Sequence, residues 1–168
     1  MDRFVSGGPA ARTLRKELRA IERTAARAAE WNGGSRLLPG EMEWLLDNRY
    51  LCRREGKDAE RLIRGAKRLP AGEKGPAALL YAERFLEQTN GEVTEEGLGA
   101  FLKERAFSER EYWLFVPLLK AALIGRIAAS CREIDNVLAS YRKTEGDSPF
   151  TAEAKAFAAR SAGKLPDR

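Results

Sequence analysis

Along most of the chain the apolar side chains recur at steps of three and four residues, the spacing that lines one face of an α-helix. From Pro9 to Glu30 the set is Leu14, Leu18, Ile21, Ala25 and Ala28, and Pro9 suits the first turn of such a helix. Asn32-Gly33-Gly34-Ser35 ends it, because paired glycines and small polar residues favour turns. After Pro39-Gly40 a second helical pattern covers Glu41 to Arg68, with Met42, Leu45, Leu46, Cys52, Ala59, Leu62, Ile63 and Ala66 inward. Gly56 is expected to kink or divide it, and Leu69-Pro70-Ala71-Gly72 to stop it. A third helix is predicted over Pro76 to Thr89, with Leu79, Leu80, Ala82, Phe85 and Leu86 inward and Asn90-Gly91 closing it. Thr94, followed by Glu95 and Glu96, caps a short fourth helix that ends near Arg105.

Ser108 and Glu111 have the S-x-x-E spacing of a capping box, in which each side chain satisfies the other's backbone N–H. The apolar run behind it predicts a long core helix from Glu109 to about Arg142. Pro117 should bend that helix and Gly125 should admit a close neighbour. A last, Ala-rich helix is expected over residues 148–162, loosely held because its apolar face is thin. No segment alternates with period two, so the predicted fold is all-α: a bundle of about five to six helices. The 168 residues suit one domain over 1–168, with a core at 41–143, a basic amphipathic helix at 9–30 and the loose helix at 148–162.

Charge changes this picture more than bulk composition does. Thirty basic and 25 acidic side chains leave +5, which permits an anionic partner without requiring one. Their placement is more specific. Arg12, Lys16, Arg19, Arg23 and Arg27 repeat along the first helix, and Arg53, Lys57, Arg61, Arg64 and Arg68 along the second. Such stripes can bind phosphates, anionic lipid headgroups or an acidic protein. They can equally be solvated faces with intrahelical pairs such as Glu60–Arg64, each worth a few tenths of a kcal/mol. Neither stripe interleaves the aromatics on which single-strand binders stack bases, which argues against nucleic acid. Residues 76–111 carry the opposite sign, with eight acids against four bases.

The chain contains no histidine, which removes Ser-His-Asp and Cys-His nucleophile systems and every histidine-containing metal site. Cys52 and Cys131 are too few for a zinc site and read as buried thiols in a reducing compartment, so no metal or cofactor is implied. Glu41, Glu43, Asp47 and Tyr50 cluster near one helix start. A glycan hydrolase needs two carboxyls facing across a cleft, and one helix turn does not supply that. A helix-turn-helix across residues 94–113 would present Glu109 and Glu111 to DNA, the wrong charge for groove reading. The apolar run Tyr112 to Ile124 is interrupted by Pro117 and Lys120 and falls short of the roughly 20 residues of a membrane span. A cytoplasmic location is the expectation.

Glu43-Trp44-Leu45-Leu46-Asp47-Asn48 embeds an acid and an amide among large apolar groups, so Asp47 and Asn48 are expected to clamp a neighbouring helix. This segment, followed by an aromatic and a leucine, resembles the N-terminal region of the cyclic β-1,2-glucan synthases, a family of bacterial inner-membrane proteins with glycosyltransferase and carbohydrate-phosphorylase-like modules of family 36 type. The likeness continues at Arg61-Leu62-Ile63-Arg64, Arg68-Leu69-Pro70 and Tyr81-Ala82. It resumes over Glu111 to Ile127, with Val116-Pro117-Leu118-Leu119 and Ala122-Leu123-Ile124, and spans residues 41–132. Arg49-Tyr50-Leu51-Cys52 lacks the family's usual histidine, and Trp113 stands one position too far from Pro117. The resemblance implies a non-catalytic helical region that packs against or orients the catalytic modules, with the segments around Trp44 and Trp113 in its core. It carries over no catalytic residue, and implies as partners those modules and the cytoplasmic face of an anionic membrane.

Overall fold

The computed structural model describes residues 3–33 and 40–144. In chain order they form β1 (Phe4–Val5), α1 (Gly8–Gly33), α2 (Gly40–Gly65), β2 (Leu69–Pro70), α3 (Ala77–Gln88), α4 (Glu95–Lys103) and α5 (Glu109–Thr144). The fold class is all-α, as the periodicity predicts; the helix expected over 148–162 lies outside the described residues. Two elements have no counterpart in the sequence pattern: β1 and β2 pair antiparallel, with Phe4 opposite Pro70 and Val5 opposite Leu69. Two residues per strand are too few for alternation to show.

Helix phase decides what is buried. In α1 the predicted row is buried throughout and is extended by Ala11 and Thr24. In α2 Met42, Leu45, Cys52, Ala59 and Ile63 turn inward. Trp44 and Leu62 each stand one residue, about 100° of rotation, from that row. They face outward, Trp44 49% and Leu62 52% exposed, which corrects the expectation that both belong to the core. The same correction applies to Trp113, 72% exposed on α5, while Phe115, Leu118, Leu119 and Ile124 are buried. Asp47 clamps no neighbouring helix, being exposed, and Asn48 Nδ2 donates to the Trp44 carbonyl of its own helix at 2.9 Å.

Gly56 does not divide α2, which runs unbroken from Gly40 to Gly65. A Cβ there would lie 2.5 Å from a Leu18 methyl of α1 and 2.8 Å from an Ile124 methyl of α5, so the glycine serves close helix approach. Gly7 works likewise: a Cβ would stand 1.8 Å from the Ile63 carbonyl oxygen, and its N–H donates to Ala66 O at 3.0 Å. Helix α2 therefore ends at Gly65, and Arg68, at φ 55°, lies beyond it.

Contacts divide the chain into two units, one of residues 1–19 and 50–128, the other of residues 20–49 and 129–168. In the first, Thr94 Oγ1 accepts from Gly97 N and opens α4, and the capping box opens α5. Ser108 N donates to Glu111 Oε2 at 3.0 Å, and Glu111 N donates to Ser108 Oγ at 3.3 Å. Helix α5 runs on through Pro117, which leaves the Trp113 carbonyl without its helical donor. In the second unit Ala28, Met42 and Leu138 form a small cluster beneath Trp31, Leu46 and Ile134.

One expectation about α5 changes. Its apolar character continues past Ile124, so Glu109–Ser140 is by length and composition apolar enough to cross a membrane. Half of its most apolar window is buried inside the protein.

Candidate anion-binding face

Within the first unit, α1, α2 and α5 pack on one another, and side-chain contacts fix their register. Helices α1 and α2 run antiparallel: Gly7 meets Ile63, Arg15 meets Glu60 and Gly56 meets Leu18. This register sets part of each basic stripe along the seam between α1 and α2, bridged by Arg15 and Glu60. On α1 the row is Arg12, Arg15 and Arg19, spaced three and four residues apart. On α2 it is Arg53, Lys57, Glu60 and Arg64, spaced four, three and four apart.

Glu60 is the one acid in these rows, and it is 7% exposed. Its Oε1 accepts from Arg15 Nε at 2.9 Å and Nη2 at 2.6 Å, and from Arg64 Nη2. Burial alone would raise the Glu60 pKa, but the bonds from Arg15 and Arg64 outweigh it and hold the carboxyl below its ordinary value. One carboxylate therefore anchors two guanidiniums and leaves a surplus positive charge beside Arg12, Lys16, Arg19, Arg53 and Lys57. All five are exposed.

The remaining stripe residues are not part of this face. Arg27 is spent in the second unit on Asp135, at 2.8 Å, and Arg23 is exposed in that unit. Arg61 pairs with Asp58 at 3.3 Å on its own helix. Arg68 is not on α2 at all; its guanidinium lies 5.4 Å from the Phe4 ring centre. The Glu60–Arg64 pair expected from spacing is present, whereas Arg15, which joins it from α1, was not legible because its role depends on helix register. Tyr50 is an exposed aromatic one turn before Arg53, with Arg54 6.0 Å from its ring.

On the α5 side of α2, Glu55 Oε2 accepts from Lys120 Nζ at 2.6 Å and Oε1 from Arg54 Nε at 3.0 Å. The Lys120 bond, with Arg54 behind it, keeps the Glu55 pKa below its usual value. Of the acids near the helix starts, Glu41, Glu43 and Asp47 are each exposed, and Glu111 accepts from the Ser108 cap. Among the described residues no group of three His, Cys, Asp or Glu side chains is placed to hold a metal ion. Cys52 and Cys131 are buried, as predicted.

No family model, curated protein or solved structure matches this chain. The arrangement of its own side chains must therefore carry the functional reading.

Proposed function

We propose that this chain is a non-catalytic helical interaction module that binds an anionic partner along the α1–α2 seam. The observation behind this reading is the Arg15–Glu60–Arg64 contact between α1 and α2, beside which Arg12, Arg19, Arg53 and Lys57 follow at helical spacing with a single carboxylate among them. Neighbouring like charges repel, and an anion relieves that repulsion.

Binding to heparin, a sulfated polyanion, tests the reading. Lys16→Glu, Arg19→Glu, Arg53→Glu and Lys57→Glu together reverse the exposed charge while sparing Arg15 and Arg64, which Glu60 needs. The wild type should bind with affinity that falls steeply as salt rises, and the fourfold variant should lose binding. Equal binding by the two proteins would remove the proposal.

A second reading follows from the resemblance to the cyclic β-1,2-glucan synthases: the chain packs against or orients the catalytic modules of a larger carbohydrate-active enzyme. What favours it is the exposure of Trp44 and Trp113, the tryptophans of the resembling segments, which leaves both available to another module. A natural reading frame continuing past Arg168 into a nucleotide-sugar module would support it, and a stop codon there would count against it.

A further inference from the structure

We infer that the outer face of the α2–α5 pair is the contact surface for a second copy of this chain, with the two α5 helices packed antiparallel. The inference is independent of the anion-binding reading, which uses the opposite edge of α2. Its basis is a register fixed at two points: Lys120 reaches Glu55, and Arg110 Nη1 donates to the Lys67 carbonyl at 3.0 Å. The two helices therefore run antiparallel. Leu62, two turns after Glu55, comes level with Trp113, two turns before Lys120. Leu51 stands one turn before Glu55 on the same side of α2, and Val116 one turn before Lys120 on α5. All four apolar side chains are exposed, Trp113 at 72%, and the exposed Tyr112 ring stands edge-on to the Trp113 indole, 6.4 Å between centres.

Two properties of this face select its occupant, and size is the first. The five side chains expose roughly 600 Å² of largely apolar surface, the upper end of what a monomer shows. Covered in both copies by a twofold pairing, that becomes about 1,200 Å², the area at which stable specific interfaces begin. Helix α5 is also more apolar than its own fold uses, since half of its most apolar window stays outside the interior. The second property is pattern. Trp113, Val116, Lys120, Leu123 and Ile127 step by three, four, three and four residues, the spacing of a coiled-coil seam, and Leu123 and Ile127 are only half-buried. A stripe of this kind fits an identical stripe. Parallel pairing would bring the two Lys120 ammoniums together, whereas antiparallel pairing sets the Trp113–Val116 end of one stripe against the Leu123–Ile127 end of the other. At the centre of the face Lys120 is already matched by Glu55, so nothing there recruits an acidic partner instead.

Sedimentation equilibrium of the full chain tests this. The wild type should pass from monomer to dimer in the micromolar range, and no less readily at high salt than at low, because the contact is apolar. Val116→Glu puts a charge into the middle of the seam and should raise the dimer Kd about a hundredfold, while Trp113→Ala should raise it about tenfold. Both positions are exposed, so the variants should keep the wild-type helical circular dichroism, and that spectrum checks their fold. The fourfold charge reversal lies away from this face and should dimerise as the wild type does. A wild type that stays monomeric throughout the micromolar range would overturn the inference. A dimer indifferent to Val116→Glu and Trp113→Ala would overturn the choice of face, as would a dimer that the fourfold variant abolishes.

Discussion

Two buried clusters, one in each unit, are built from different materials. Where α3, α4 and α5 meet, rings touch in series: Phe85 and Phe101 lie 5.0 Å apart, Phe101 and Phe115 5.8 Å, Phe115 and Phe107 5.4 Å, and Phe107 and Tyr81 5.7 Å. Leu86, Leu119, Ala82 and Ala122 fill the spaces between them. Among the described residues the cluster of Ala28, Met42 and Leu138 has no fully buried ring. Its unit contains instead a buried polar contact: Thr24, fully enclosed, has its Oγ1 3.0 Å from Asp135 Oδ2 and 3.1 Å from Ala20 O, and Asp135 is held by Arg27. Aromatic area stabilises without needing a particular hydrogen-bond partner, whereas a small apolar cluster leaves more of its specificity to polar geometry.

The largest expected effect tests the first half of that contrast. Phe115→Ala removes a fully buried ring that touches two others and should cost about 3–5 kcal/mol in urea unfolding. Leu138→Ala in the sparse cluster should cost about 2 kcal/mol, the low end for a buried leucine, because fewer large neighbours surround the space it leaves. Equal losses would break the comparison. Thr24→Val keeps the shape and removes the hydroxyl, leaving Asp135 Oδ2 without that donor, and should cost about 1–3 kcal/mol. A neutral result there would show that the polar contact contributes no net stability.

The unequal legibility of the sequence follows from the same physics. The α1 row was readable because five apolar positions repeat at the helical period and nothing interrupts them. The caps at Thr94 and Ser108 were readable because a cap is local, needing only residues three apart. Leu62, which the spacing places inward, and Trp44 and Trp113, which the resemblance places in the core, face outward because a rotation of one residue decides which way a helical side chain points. The anion-binding face was half legible: both stripes were visible, but their meeting depends on the α1–α2 register. Gly56 carried the available signal. A glycine inside a helix costs about 1 kcal/mol relative to alanine, so it calls for a packing reason, and here that reason is the approach of Leu18 and Ile124.

The smallest expected effect at neutral pH separates the units by their response to acid. In the unit with the ring cluster, Arg15 and Arg64 hold the Glu60 pKa below its ordinary value of 4.5. A carboxyl whose folded pKa is depressed contributes stability that is fully present above its unfolded pKa and is lost as pH falls through the folded one. Stability should therefore decline with acid from about pH 4.5 downward. Glu60→Gln carries no proton to gain, so its urea midpoint should depend less on pH across that window, with Glu55, whose pKa Lys120 and Arg54 also lower, retaining part of the slope. Midpoints measured at about pH 6 and about pH 3 for both proteins decide the matter. If the two lines fall in parallel, Glu60 is not the anchor that the guanidinium contacts describe.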